Sequence, residues 1–260
     1  MSDSQSSLSA ANPWLTLQID HAFAPFRLQV QLALHAPWTV LFGPSGSGKT
    51  TILRALAGLF LPDVGSLQLQ GETIFARAAN KPCAINLSPQ ARRIGLVTQT
   101  PALFPHYTAA ENIAFALRGF SSAERNKKIQ ALLQIFGAES LRDRLPHQLS
   151  GGQQQRIALA RTLAAAPRLL LLDEPFSAMD RTARLEILNN LRQWVQQRAV
   201  PVLMVTHDLA EAFTASEEVV VLEDGRAVAQ GQAEIVLRKA RAQLLQELGI
   251  TPNAAHSPER

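Results

Sequence analysis

Gly43-Pro44-Ser45-Gly46-Ser47-Gly48-Lys49-Thr50 is the stretch on which the reading of this chain turns. It fits the spacing G-x-x-x-x-G-K-[ST], whose glycines let successive backbone N–H groups turn inward around phosphate oxygens. In that pattern the lysine reaches the outer phosphates and the hydroxyl faces a magnesium ion, which assigns those tasks to Lys49 and Thr50, with Thr51 completing the phosphate-binding set. The spacing means little unless a strand precedes it and a helix follows. Residues 39–42 supply a short apolar run ending at Gly43, and residues 50–59 read as a helix with Gly58 near its end. The helix start adds free N–H groups and the positive end of its dipole. An incidental lysine in a glycine-rich turn is the bland alternative, and the strand-before, helix-after context counts against it.

Further along, Leu169-Leu170-Leu171-Leu172-Asp173-Glu174-Pro175 places two carboxylates at the tip of a buried strand. Such tips are where ligands bind in open α/β sheets. Asp173 suits a magnesium shell. Glu174 suits a general base that orients and deprotonates an attacking water, a role worth about 10²–10⁴ in rate. Alone, the two acids would read as a solvated strand end. His207 follows an apolar strand at 202–205, expected near the strand that carries Glu174, and there it would sense the terminal phosphate; alone it would read as a helix-capping residue. Leu149-Ser150-Gly151-Gly152-Gln153 opens a helix and presents N–H groups to an anion.

The 260 residues carry 25 Lys and Arg against 21 Asp and Glu, a net charge of +4, and 47% are hydrophobic. That is ordinary globular composition. The basic residues are scattered, so no nucleic-acid stripe is read. The single cysteine, Cys83, excludes an internal disulfide and suits a reducing compartment. No apolar run approaches the roughly 20 residues that cross a bilayer, and the polar start lacks an apolar signal core. The expectation is a soluble cytosolic chain whose membrane role comes through a partner.

Residues 1–12 and about 250–260 read as disordered tails around one domain at 13–249. Alternation predicts strands at 15–19 and 26–34, then further strands at 66–69, 73–75, 94–97, 169–172, 202–205 and 219–222. Residues 76–91 read as a loop. Helices are expected at 109–117, 122–136, 152–165, 181–198, 209–215 and 233–248. Alternating strands and helices argue for a mainly parallel α/β sheet with an inserted helical block at about 100–165.

The glutamine of Val97-Thr98-Gln99-Thr100, the phosphate loop, the strand-tip acids, His207 and the Leu149–Gln153 run together resemble the motif set of ATP-binding-cassette (ABC) ATPases over nearly all of residues 14–248. The resemblance implies a P-loop NTPase core with an antiparallel β subdomain and an inserted helical subdomain. It implies ATP and Mg²⁺ as ligands, with Gln99 and Asp173 joining Thr50 at the metal. It also implies a homodimer in which Ser150, Gly151, Gly152 and Gln153 of one copy close on the ATP held by the other. Ser177-Ala178-Met179-Asp180 resembles the loop that crosses that interface, with Asp180 near the nucleotide. Phe23 falls near the place of the adenine-stacking aromatic, with Phe26 close by.

Residues 87–95 and Leu103-Phe104-Pro105-His106-Tyr107 are similar to the ATPase subunit of molybdate importers, where this region faces a membrane permease. The partners so implied are permease subunits and a periplasmic substrate-binding protein, with the chain peripheral on the cytoplasmic face of the membrane. Those molybdate subunits carry an extra C-terminal oxyanion-binding domain, and here one helix and a tail are read instead. A thiamine or sulfate importer cassette and a non-transport ABC ATPase stay open as alternatives.

Overall fold

The computed structural model describes residues 12–247. The tails expected at the two ends lie outside the described residues, apart from Asn12. β1 (Leu15–Phe23) and β2 (Phe26–Leu34) form an antiparallel hairpin closed at Phe23 opposite Phe26. Leu15, Leu17 and Ile19 on β1 and Leu28, Val30, Leu32 and Leu34 on β2 are buried while their neighbours are not, the two-residue period of a sheet with one covered face. β3 (Trp38–Phe42) then runs into the phosphate loop and α1 (Lys49–Ala57). Next come β4 (Val64–Leu69), β5 (Glu72–Arg77), β6 (Ile85–Asn86), α2 (Pro89–Arg92) and β7 (Ile94–Val97). The expected loop at 76–91 thus contains a short strand and the start of a one-turn helix.

α3 (Ala109–Ala114), a 3₁₀ turn, α4 (Ser122–Ile135) and α5 (Gly151–Ala164) fall between β7 and β8 (Leu169–Asp173). α6 (Arg181–Arg198), β9 (Val202–Thr206), α7 (Leu209–Ala215), β10 (Glu218–Glu223) and β11 (Arg226–Gly231) follow. The helix expected at 233–248 is broken into α8 (Ala233–Val236) and α9 (Arg238–Glu247), and Leu248 lies outside the described residues. Leu237, fully buried, pins the chain at the break. No helix among the described residues is long and apolar enough to cross a membrane.

Two sheets result, ordered β2-β1-β4-β5-β6 and β11-β10-β3-β9-β8-β7. In the second, β10, β3, β9, β8 and β7 are parallel neighbours and β11 joins antiparallel. β8 and β9 are buried at every position, as a sheet covered on both faces requires. Along β8, Leu170 and Leu172 enter the core beneath α3–α7, whereas Leu169 and Leu171 enter the core shared with α1 and the antiparallel sheet. Each leucine so buried contributes about 1.5–3 kcal/mol relative to exposure. The acids that follow therefore sit at the end of one of the best-anchored strands in the molecule.

Candidate active site

β3 delivers Gly43 and its loop to the carboxyl end of the parallel strands. Gly48 caps α1 with φ 100°, a left-handed conformation that glycine adopts without strain, and an added Cβ would lie 2.7 Å from Leu28 Cδ1. The Lys49 ammonium folds across the loop, donating to Gly43 O at 2.8 Å and Pro44 O at 2.7 Å, with Ser47 Oγ at 3.5 Å. Burial lowers the Lys49 pKa, against the opposing pull of Glu174 and Asp173. Thr50 Oγ1 donates to Asp173 Oδ1 at 3.2 Å. Burial raises the Asp173 pKa, and the Thr50 bond works the other way.

Glu174 leaves β8 with φ 47°, an uncommon conformation for a side-chain-bearing residue, fixed by its N–H donating to Val205 O at 3.0 Å. That turn points the carboxylate between two donors. Gln99 Nε2 donates to Glu174 Oε2 at 2.9 Å, and His207 Nδ1 lies 2.9 Å from Glu174 Oε1. Gln99 comes from the loop after β7 and His207 from the loop after β9, the two strands that flank β8. The expected nearness of the histidine and glutamate strands holds as direct neighbours in the sheet.

Lys49, Thr50, Gln99, Glu174 and His207 share a cavity of about 440 Å³ also lined by Ser45, Gly46, Gly48 and Thr51, with Asp173 behind Thr50 and off its lining. Phe23 and Phe26 close one side of it. Phe23 stacks on Phe60 at 5.6 Å between ring centroids and meets His21 edge-on at 4.3 Å. Phe60 and His21 were not singled out from the sequence, where only an aromatic at a given spacing is legible. A larger cavity, about 630 Å³, lies at the opposite end of the parallel strands beside Trp14, Trp38 and Pro201. Neither Glu174 nor Lys49 lines it, and the smaller, more polar cavity is the candidate site.

Ser150, Gly151, Gly152, Gln153 and Asp180 do not line that cavity within this chain. Ser150 caps α5, with Gln153 N donating to Ser150 Oγ at 3.3 Å and Ser150 N donating to Gln153 Oε1 at 3.0 Å. Gly152 packs on the 177–180 loop, where a Cβ would stand 2.9 Å from Ala178 O. Asp180 Oδ1 accepts from Ala183 N at 2.9 Å, capping α6, and this bond holds its pKa low. Met179 is buried beneath.

A buried lysine wrapped in a glycine loop at a helix start, with two acids at a nearby strand tip, defines a phosphate-loop nucleotide-binding protein. The ABC transporter family profile matches residues 29–177. The chain is 37% identical to the molybdenum import ATP-binding protein ModC of Paramagnetospirillum magneticum over 86% of this chain and 60% of that protein. Against the Fe(3+) ions import ATP-binding protein FbpC of Pseudomonas fluorescens it is 46% identical over 74% and 53%. Against the molybdate/tungstate import ATP-binding protein WtpC of Archaeoglobus fulgidus it is 40% identical over 84% and 87%. Among solved structures, an ATP-binding cassette dimer in a post-hydrolysis state with ADP and Pi superposes with a TM-score of 0.71 at 27% identity, covering 84% of this chain and 98% of that one. The chain belongs to the ABC transporter family and has the fold of its ATP-binding cassettes. It spans little more than half the length of the first two relatives, 60% and 53%.

Proposed function

We propose that this chain is the ATP-hydrolysing subunit of an ABC importer, coupling ATP binding and hydrolysis to transport through a separate membrane permease. The observation that carries this reading is Glu174, gripped by Gln99 and His207 beside Lys49 and the Thr50–Asp173 pair. Glu174 accepts the proton of a water that attacks the terminal phosphorus of ATP, the bond to ADP breaks, and phosphate leaves. Each carboxylate oxygen keeps a second lone pair for that water. Lys49 turns from the loop carbonyls to the phosphate oxygens, and backbone N–H groups of Ser45–Thr51 cradle the chain of phosphates. His207 and Gln99 report the terminal phosphate to their loops. Phe23, with Phe26 beside it, offers an aromatic face to adenine.

Mg²⁺ fits the donors present: a threonine hydroxyl, one carboxylate and the Gln99 amide oxygen, left over because the amide nitrogen serves Glu174. No group of three or more His, Cys, Asp or Glu suited to a metal occurs among the described residues. That agrees with an ion held by one carboxylate and by substrate phosphates rather than by a protein cage. When bound, it would neutralise phosphate charge and fix the phosphates' orientation.

The active form is a homodimer, with Ser150–Gln153 and Asp180 of one copy completing the site of the other. Two observations support this: those residues lie off the cavity of their own chain, and the structural relative is a dimer. The dimer sits on the cytoplasmic face of the membrane, joined to permease subunits served by a periplasmic binding protein. Molybdate or another oxyanion is the proposed cargo, supported by the molybdenum and molybdate/tungstate names of two relatives. The sulfate/thiosulfate name of a third falls in the same oxyanion class, whereas the Fe(3+) name of another favours a second reading, a cassette of the same kind for a different cargo.

Glu174→Gln tests the chemistry. It keeps the shape and removes the base, so ATP should bind as before, turnover should fall by about 10²–10⁴ and a nucleotide-bound dimer should accumulate in size-exclusion chromatography. Wild-type turnover in this variant would remove Glu174 from the base role.

A further inference from the structure

We propose that Arg184 and Glu211 are positioning residues that clamp the loop bearing His207 onto α6, so that the His207–Glu174 contact depends on an ion pair one turn beyond Asp180. The proposal rests on the ATPase reading for its kinetic consequence but on geometry for its structural one.

Arg184 lies in the first turn of α6, its N–H donating to Asp180 O at 3.0 Å. Its Nη1 stands 2.9 Å from Asp208 Oδ2 and 3.0 Å from Glu211 Oε1. The other Glu211 oxygen accepts from Thr206 Oγ1 at 2.6 Å, and that same hydroxyl accepts from Asp208 N at 3.0 Å. Asp208 Oδ1 in turn accepts from Ala210 N and Glu211 N, capping α7. Thr206 and Asp208, the residues on either side of His207, are thus both tied to one guanidinium. The His207 side chain is 61% exposed, so packing does not aim it. Its direction is set by its two flanking residues and by Glu174.

The clamp is poorly optimised for stability alone. Arg184 Nε is buried with no hydrogen-bond partner, and one nitrogen serves both acids. A buried unpaired donor is costly and calls for an explanation other than stability. The explanation offered is mechanical. α6 begins at Asp180, on the loop proposed to meet the partner copy, and Arg184 links any shift of that loop to His207.

Arg184→Met removes the charge while keeping most of the volume. In the full chain it should lower kcat by about 10–100-fold, the scale of a misplaced catalytic contact, with KM for ATP and affinity for a fluorescent ATP analogue within about three-fold. Arg184→Lys should restore part of kcat. Added to His207→Ala, Arg184→Met should cost nothing more, because both act through the same imidazole. If Arg184→Met lowers stability too far to assay, Glu211→Gln, which keeps an acceptor for Thr206, carries the same expectations. Wild-type kcat in these variants, or losses that multiply with that of His207→Ala, would overturn the clamp. A second readout needs no turnover. In NMR spectra the His207 imidazole signals should shift in Arg184→Met while those of the other histidines stay. Unmoved His207 signals would overturn the clamp even if the chain proved not to hydrolyse ATP, whereas absence of wild-type turnover alone would count against the ATPase reading.

Discussion

Two helices of this molecule begin in glycine-rich turns, and their starts are finished in opposite ways. α5 begins behind Ser150, whose hydroxyl and the Gln153 amide satisfy each other's backbone N–H groups in a reciprocal box. α1 begins behind Gly48, with no side-chain hydrogen bond at its cap, and its first residue is a cation, Lys49. A cation in the first turn opposes the helix dipole, and an uncapped start leaves backbone donors unsatisfied. Both faults are mended by an anion. α1 is therefore built to be completed by a ligand, whereas α5 is complete as it stands and offers a ligand only its surface, the Ser150 hydroxyl and the Gly151 and Gly152 N–H groups. The contrast matches the proposed division of labour, in which one start captures nucleotide and the other closes over it.

The largest expected effect comes from blocking the second start while sparing the first. Ser150→Arg should bind ATP at an affinity within a few-fold of wild type, because the cavity beside α1 is untouched, yet lose turnover by about 10²-fold or more. Part of any stability loss is the lost cap, about 1 kcal/mol, and thermal unfolding separates the two effects. Mixed with Lys49→Ala, it should leave at most one intact composite site per heterodimer and so recover a fraction of activity. Full activity of Ser150→Arg alone, independent of protein concentration, would break the comparison, since α5 would then have no ligand to close on.

A second prediction concerns the other end of α1. There, Arg92, fully buried, donates from Nη1 to Ala55 O and Leu56 O at 2.6 and 2.8 Å, and from Nε and Nη2 to Leu87 O and Asn86 Oδ1 at 2.9 and 3.0 Å. A cation on the last carbonyls of a helix agrees with its dipole, so α1 is sealed at the end away from the phosphate loop and open at the end beside it. Arg92→Met would take this donor from the Ala55 and Leu56 carbonyls, which are out of water. The expected loss is about 1–3 kcal/mol, the cost of a buried acceptor left without its partner, or roughly 5 °C in Tm, measured by calorimetry. Unchanged stability would mean that α1 is held by packing alone.

These ends differ in how far they can be read from sequence. The phosphate loop, the Asp173-Glu174 tip and the Leu149–Gln153 run are contiguous, so their chemistry is visible in a line of letters. The same holds for strongly periodic elements: 26–34, 94–97, 181–198 and 209–215 were expected at the bounds observed. Arg92 was invisible as a cap because Arg93 stands beside it and nothing local says which one turns inward. Arg184 and Glu211 meet only through tertiary packing. β11 was missed because Arg226–Gly231 is an edge strand of mostly small or polar residues, with Val228 its one branched apolar side chain. The backbone turn at Glu174 has no glycine to announce it, although it aims the carboxylate.

The smallest effect tests the cost of keeping α1 ready. Burial raises the Asp173 pKa in the folded state, so the contribution of this group to stability is full below its unfolded value and is lost as pH climbs through the folded one. At high pH the free protein therefore bears the cost of desolvating this carboxylate. Asp173→Asn bears none and still offers an oxygen to Thr50 Oγ1. The nucleotide-free variant should melt higher than wild type by about 2–4 °C at pH 8, the shift that 1 kcal/mol produces in a chain of this size. The gap should narrow as pH falls, because the wild-type carboxylate protonates and the difference in charge disappears. With Mg²⁺ and a non-hydrolysed ATP analogue the order should reverse: at 100 times Kd a ligand adds about 2.7 kcal/mol to the wild type, and the variant, lacking the carboxylate proposed to hold the ion, gains less. An Asp173→Asn protein that melts below wild type without nucleotide at pH 8 would show that Lys49 and Thr50 already compensate the buried charge, and that the open end of α1 costs the free protein nothing.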